Sequence, residues 1–176
     1  MIVEINFDNI KDVNKANEEF TIFGRIIPEY IEGKWFLKEV LLDKPYEYKY
    51  PIDKEDYSEY INNKDKIIYL FYDIHSCVGQ IILKKYWNEN AYVNDICVAK
   101  SYRNKGIGFQ LMDKAVEWTK MKNLKGIMLE TQDVNIAACK FYKKYGFILG
   151  GVDTMLYSHF KIAEQKAMFW YYKMYN

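Results

Sequence analysis

Cysteine and histidine are scarce in this chain of 176 residues, with three and two copies, and their placement excludes several chemistries. Cys77, Cys97 and Cys139 are odd in number, scattered and free of C-x-x-C spacing. That argues against a disulfide framework and for a reducing compartment. His75 and His159 are far apart and lack metal-ligand spacing, so no metal is expected. Only three prolines and nine glycines are present, and no Pro/Gly linker, repeat or low-complexity tract breaks the chain. Net charge is +1, which gives no nucleic-acid footprint. No apolar run approaches the ~20 residues that span a bilayer. The first twelve residues, acidic and without a basic start or apolar core, do not read as a signal peptide. A cytoplasmic protein with no membrane or nucleic-acid partner is the expectation.

What the chain does have is apolar mass. Half of its residues are hydrophobic, enough for one domain with a proper core and too many for disorder. Residues 1–60 read as a variable lobe, with strands expected at Phe20–Ile27 and Trp35–Leu42 and a loop or short helix over Pro45–Tyr60. Lys66–Tyr72 and Val78–Leu83 are β-branched and aromatic and bracket Asp73–Ser76, the pattern of a hairpin. Ala91–Val98 reads as a strand. From Ile107, apolar residues recur at helical spacing through Leu111, Met112, Ala115, Val116, Trp118 and Met121, ending near Lys122–Asn123. Ile127–Thr131 is a short buried strand, placed parallel to the preceding one by the intervening helix. Asn135–Tyr145 is a second helix with Gly146 as its stop. Phe147–Val152 and Ala167–Lys173 complete a mixed α/β sheet.

Ser101-Tyr102-Arg103-Asn104-Lys105-Gly106-Ile107-Gly108 lies where a strand becomes a helix. Gly106 and Gly108 let the backbone approach a ligand closely. The free N–H groups of the first helical turn favour an anion there, and Arg103 and Lys105 add charge, so a diphosphate is the natural guest. Taken alone, the segment reads equally as an ordinary left-handed surface turn.

A second segment follows within the span of one more strand–helix unit: Asn135-Ile136-Ala137-Ala138-Cys139-Lys140-Phe141-Tyr142-Lys143-Lys144-Tyr145-Gly146-Phe147. Together, Arg-x-x-Gly-x-Gly and Asn-x-x-Ala-x-x-x-Tyr-x-x-x-Gly-Phe resemble the GNAT superfamily of acetyl-CoA-dependent N-acetyltransferases over residues 66–152. The resemblance extends to the streptothricin acetyltransferases, the antibiotic-resistance branch of that superfamily. It is carried by Ile26–Tyr30, Trp35, Tyr46–Tyr50, Asp65–Leu70, Leu129–Asp133 and Gly151–Tyr157. It implies a mixed, mostly antiparallel sheet with a parallel pair at the acetyl-CoA site and flanking helices. It also implies a single domain over 1–176, with an acceptor-side lobe at 1–60, an acetyl-CoA-binding core at 66–152 and a C-terminal strand region at 153–176. Acetyl-CoA is then the co-substrate and a cationic, streptothricin-like amine the acceptor, with a homodimer as one possible assembly. Cys97, Val98, Arg103, Asn104, Lys105, Gly106, Ile107, Gly108, Asn135 and Tyr142 become cofactor-binding candidates. Tyr30, Trp35, Asn94, Asp95, Glu130 and Asp153 become acceptor-binding candidates.

An amine must lose a proton before it attacks a thioester, and the departing thiolate needs one. Tyr142 matches the family's helix tyrosine near the CoA sulfur, although on residues alone it reads as a packed aromatic. Glu130 precedes Tyr142 by twelve residues, the acid–base spacing of GNAT enzymes that acetylate protein N-termini. It ranks first as base, with a capping or acceptor-binding carboxylate as the alternative. Many GNAT members carry an acid where this chain has Asn94, which cannot serve as a base. The adjacent Asp95 ranks second, because strict alternation turns it to the opposite face unless a bulge intervenes; ordered water ranks third. Cys97 and Cys139 read as small buried hydrophobes, which favours direct transfer over an acyl-enzyme. A backbone N–H of Cys97 or Val98 could polarise the thioester carbonyl. Charge is uneven: residues 28–60 carry nine acids (Glu29, Glu32, Glu39, Asp43, Glu47, Asp53, Glu55, Asp56, Glu59) against five lysines, near −4, leaving the rest near +5. That run is either a solvated face or an attractor for a polycationic acceptor.

Overall fold

The structure is a computed structural model that describes residues 1–52 and 54–174. Among the described residues, nine strands and two α-helices follow in this order: β1 (Ile2–Glu4), β2 (Phe20–Ile31), β3 (Lys34–Tyr48), β4 (Lys66–Asp73), β5 (Ser76–Lys85), β6 (Asn90–Val98), α1 (Ile107–Met121), β7 (Gly126–Gln132), α2 (Ile136–Tyr145), β8 (Ile148–Asp153) and β9 (Ala167–Lys173). One seven-stranded sheet has the order β1-β4-β5-β6-β7-β9-β8, and β2 and β3 form a separate two-stranded ribbon. The β1/β4, β4/β5, β5/β6 and β8/β9 pairs are antiparallel. The neighbours β6 and β7, joined through α1, are the parallel pair in this mixed α/β sheet. The described residues divide into two compact units, one within 1–20 and 49–127, the other of Thr21–Tyr48 with 128–174.

In the first unit, the β4–β5 hairpin expected from the sequence pairs Ile68 with Ile82 and Leu70 with Gln80. One face buries Ile68, Leu70 and Ile82 against Ile5 and Tyr60. The other takes α1, because Gly79 has no side chain and lets Ile107 and Leu111 seat against the strand. The helix begins at Gly106, whose φ of 83° is left-handed, and buries Leu111, Met112, Ala115 and Trp118 along one side.

The second unit contains the ribbon, α2 and the β8–β9 hairpin. Ile22, Gly24 and Ile26 alternate inward along β2, and a Cβ at Gly24 would collide with the Val40 carbonyl and the Ile136 side chain. Asn135 caps α2 by accepting from the Ala138 N–H at 3.1 Å, and Gly146 ends it at φ 115°. Both ribbon strands are longer than their sequence pattern suggests. The expectation of a loop or short helix over Pro45–Tyr60 is corrected at its start: β3 runs through Tyr48, and a 3-10 turn forms only at Tyr57–Tyr60. Strand β1, three residues paired to the edge of β4, is too short to leave a sequence pattern.

Candidate active site

The glycine-containing turn, expected to hold a diphosphate, lies within the first unit. Asn104 (φ 61°) and Gly106 (φ 83°) are both left-handed, so the backbone folds back on itself just before a helix of fifteen residues. The first-turn N–H groups of that helix have no intrahelical acceptor and carry the positive end of its dipole. A Cβ placed on Gly106 meets no atom within 4 Å, so the space over the helix start is open to a ligand. Ile107 is buried against β5 while Gly108 is half-buried in the first turn. Lys105 extends its ammonium over the Tyr102 ring, 5.0 Å from the centroid, and Tyr102 donates to Asp73 at 2.7 Å. These residues fit the diphosphate of a nucleotide-type cofactor.

Arg103 is placed differently from a free phosphate ligand. Its Nε donates to the Val98 carbonyl at 2.9 Å, Nη1 to the Glu19 carbonyl at 2.9 Å and Nη2 to the Glu18 carbonyl at 3.3 Å. The guanidinium therefore clasps the end of β6 to the segment before β2, and the Lys100 N–H adds a bond to the Glu18 carboxylate. An open groove of about 610 Å³ lies alongside, lined by Glu18, Glu19, Lys49, Lys100 and Ser101.

At the end of β6 the register gives each candidate a direction. Ile82 faces Asp95 and Leu83 faces Val93, so Asn94 is the extra residue of a β-bulge. The Ala99 N–H donates to Val78, and by alternation the Cys97 N–H also faces β5 while the Val98 N–H turns away from it. Val98 is thus the one of the two candidates whose amide is not turned to β5. Asp95 is drawn into a polar chain: buried Gln80 donates to its Oδ2 at 2.6 Å. Gln80 also grips Asn14, accepting from its N–H at 2.6 Å and donating to its Oδ1 at 3.0 Å. Burial, with Asp95 beside it, pushes the Cys97 thiol well above its ordinary range. Cys139 is likewise raised by burial, to about 12. Neither sulfur is a thiolate nucleophile at neutral pH.

Of the acceptor-side candidates, Asn94 and Asp95 lie in the first unit, and Tyr30, Trp35, Glu130 and Asp153 in the second. Glu130 is the half-buried member of an otherwise buried strand, β7, and its Oε1 accepts a hydrogen bond from the Tyr157 hydroxyl. Burial raises the Glu130 carboxyl and the tyrosine bond partly offsets that, so the group is a stronger base than an exposed glutamate. Three residues on, Asp133 is fully buried. Its carbonyl accepts from the Ile26 N–H at 2.8 Å and its Oδ1 from the Lys166 N–H at 3.0 Å, while Arg25 Nε stands 3.7 Å from Oδ2. Asp133 thereby ties β2, β7 and the start of β9 together. Tyr142 on α2 is buried in an aromatic cage of Phe141, Phe147 and Trp170, with ring centroids at 5.4, 5.8 and 6.3 Å. Tyr30 and Trp35, at opposite sides of the ribbon's turn, meet at 4.8 Å. Asp153 spends Oδ1 on the Met155 and Leu156 N–H groups, at 2.7 and 3.0 Å, which makes it the anchor of the β8–β9 connection.

The structure brings Asn104, Lys105, Gly106 and Ile107 into one turn, Asp95 onto the face of Gln80, and Tyr30 onto Trp35. Gln80, Asn14, Asp133, Arg25 and Tyr157 were not among the candidate site residues, because each acts through a partner far away along the chain. The acidic run is largely engaged: Glu39 pairs with Lys140 at 2.9 Å, Glu47 accepts from Thr21, Glu55 pairs with Lys84 and Glu59 with Lys66. Glu29, Glu32 and Asp43 are exposed on the ribbon, and Asp53 lies outside the described residues. Among the described residues no His/Cys/Asp/Glu cluster could hold a metal and no helix is long and apolar enough to cross a membrane.

Comparison with known proteins agrees with this geometry. A family model described as acetyltransferase (GNAT) family matches residues 35–147. Streptothricin acetyltransferase A of Bacillus subtilis (strain 168) is 48% identical over 173 residues, covering 98% of this chain and 99% of that protein. The crystal structure of a protein assigned as a streptothricin acetyltransferase from Bacillus anthracis str. Ames, in complex with acetyl coenzyme A, superposes with a TM-score of 0.89 at 35% identity, covering 99% of both chains. Nourseothricin acetyltransferase shares the fold, with a TM-score of 0.82 at 23% identity over 98% of this chain and 97% of that one.

Proposed function

The chain belongs to the acetyltransferase (GNAT) family, and we propose that it transfers the acetyl group of acetyl-CoA to an amine of streptothricin, in its β-lysine moiety, and so confers resistance. The observation that carries this reading is the 48% identity over nearly the full length of both proteins, which includes the acceptor side as well as the cradle. Free thiols at Cys77, Cys97 and Cys139 support a reducing cytoplasm as its location. A homodimer is the assembly we infer, supported by Tyr30, Ile31, Phe36, Val40, Leu41, Leu42 and Tyr46, all exposed on the ribbon.

In this reading the backbone of Asn104–Gly108 and the Lys105 ammonium hold the diphosphate, and Asn135, as the cap of α2, fixes the start of the helix that carries Tyr142. Acetyl-CoA, when bound, supplies an acyl group already activated as a thioester. Glu130 takes a proton from the acceptor ammonium, which frees the nitrogen lone pair for attack on the acyl carbon. The Val98 N–H polarises the acyl oxygen, whose negative charge grows as the N–C bond forms. Tyr142 gives its hydroxyl proton to the sulfur as the C–S bond breaks and recovers one from the nitrogen, directly or through water. Tyr30, Trp35, Asn94 and Asp153 line the acceptor side, with Asp95 held in reserve as a second carboxylate. The raised thiol pKa values of Cys97 and Cys139 support direct transfer without an acyl-enzyme.

A thiol-release assay with acetyl-CoA against streptothricin, spermidine, an aminoglycoside and a lysine peptide tests the reading. Release with streptothricin at an efficiency well above the other amines is expected. Equal or faster release with the lysine peptide or spermidine would reassign the acceptor. Tight acetyl-CoA binding without release on any amine would mark a non-catalytic CoA sensor.

A further inference from the structure

We propose that Tyr157 is a positioning residue for the transfer reaction: its hydroxyl, donated to Glu130 Oε1, orients the carboxylate that takes the acceptor's proton and sets the pH range in which it works. The inference rests on the reading of Glu130 as the base.

Tyr157 belongs to the connection between β8 and β9, residues 154–166, and that connection is pinned at both ends. At its start, Asp153 Oδ1 accepts from Met155 and Leu156, which fixes the backbone immediately before Tyr157. At its finish, Asp133 holds the Lys166 amide, and the strands close with Asp153 opposite Ala167. Short turns between Met155 and Ser158 and between Tyr157 and Phe160 shape the segment in between. Met155, Leu156 and Phe160 are exposed, whereas Tyr157 is turned inward to Glu130. A tyrosine at that place does what a phenylalanine could not, because only the hydroxyl reaches the carboxylate.

The energetics give the contact a role. A carboxylate withdrawn from water reverts toward its neutral form, and a hydrogen-bond donor favours the charged form. Burial and Tyr157 are the two influences on Glu130, acting in opposite directions. The other charged groups around this part of the unit are engaged elsewhere: Asp133 with Lys166 and Arg25, Asp153 with the backbone of its own turn. Tyr157 is therefore the group positioned to keep Glu130 ionised and aimed in the resting enzyme. When an ammonium arrives, the same bond leaves Oε2 to receive the proton.

The test is the pH profile of kcat/KM for streptothricin, measured with saturating acetyl-CoA in the full chain and its variants. Tyr157→Phe should move the acidic limb up by about one pH unit, the scale of one lost bond to a carboxylate, and lower kcat/KM about tenfold below that limb. Acetyl-CoA affinity by calorimetry should stay unchanged, which a general loss of structure would not allow. Glu130→Gln, run in parallel, should abolish the limb. A limb abolished by Glu130→Gln but unmoved by Tyr157→Phe overturns the proposal and leaves the base assignment standing. A limb that persists in Glu130→Gln removes the base and this inference with it. Should Tyr157→Phe fold poorly, Asp153→Ala, which unpins the start of the connection, must shift the limb in the same direction by a smaller amount; no shift there is likewise fatal.

Discussion

The unit that carries residues 98–108 builds its candidate cofactor turn from consecutive residues. Two left-handed positions and a helix start supply the amides, and a three-way clasp by Arg103 secures the turn. The other unit assembles its candidate chemistry from five separated places: Arg25 and Tyr30 on β2, Trp35 on β3, Glu130 on β7 with Asp133 just after it, Tyr142 on α2, and Tyr157 between β8 and β9. A backbone cradle tolerates side-chain change as long as φ is preserved, whereas a dispersed side-chain site depends on every strand that positions it.

The sharpest way to break this contrast is to remove one hydroxyl from the dispersed site. Tyr142→Phe keeps the ring and its cage of Phe141, Phe147 and Trp170, so the melting temperature and acetyl-CoA affinity should hold. Turnover should fall by ~10²–10⁴-fold if the hydroxyl is the acid. A variant that is destabilised yet turns over normally would return Tyr142 to the core and leave solvent as the proton source.

The next effect, smaller on turnover, tests the cradle. Gly106→Val places a branched residue at a left-handed φ, which costs roughly 1–2 kcal/mol, but it meets no neighbouring atom, so the fold should survive while acetyl-CoA binding is lost. Arg103→Ala should behave differently because its donors are spent on carbonyls. We expect a lowered melting temperature, by the ~1.5–3 kcal/mol typical of hydrogen bonds to a charged group, together with weaker acetyl-CoA binding. Unchanged stability with weakened binding would show that the guanidinium is a phosphate ligand after all. Unchanged acetyl-CoA affinity in both variants would remove the diphosphate from this turn.

The smallest effect concerns the acidic ribbon. Glu39 is already paired with Lys140 and Glu47 accepts from Thr21, and a surface pair such as Glu39–Lys140 contributes at most ~1 kcal/mol. Replacing Glu29 and Glu32 together with glutamine should raise the streptothricin KM a few-fold and flatten its dependence on salt, with acetyl-CoA affinity untouched. An acceptor constant indifferent to both salt and substitution would leave the ribbon's charge as an ordinary solvated face.

The same contrast explains how much could be read in advance. Both α-helices, the central hairpin and the turn before α1 were legible because their causes are local: apolar residues at helical spacing, Asn135 as a cap, Gly106 and Gly146 at left-handed termini. The full extent of β2 and β3 was not, since their outer halves are held by pairing with each other while carrying exposed apolar side chains on both faces. The bulge at Asn94 was an open question settled by strand register, and Asp95, freed from strict alternation, went to Gln80.

By itself, then, the sequence determined the local pieces: a left-handed turn at a helix start, an amphipathic helix on either side of β7, and a tyrosine and a glutamate at family spacing. Capping, turn and periodicity preferences act over a few residues and are written directly in the chain. Tertiary structure alone decided which groups are committed. Arg103 became a clasp, Asp153 an anchor and Asp133 a tie between strands, and Tyr157 was delivered to Glu130 across 27 positions. Those outcomes depend on burial, which strips water from a carboxylate or a guanidinium and obliges it to take whatever partner the fold provides. Partnership of that kind joins residues distant in sequence, so no local pattern records it.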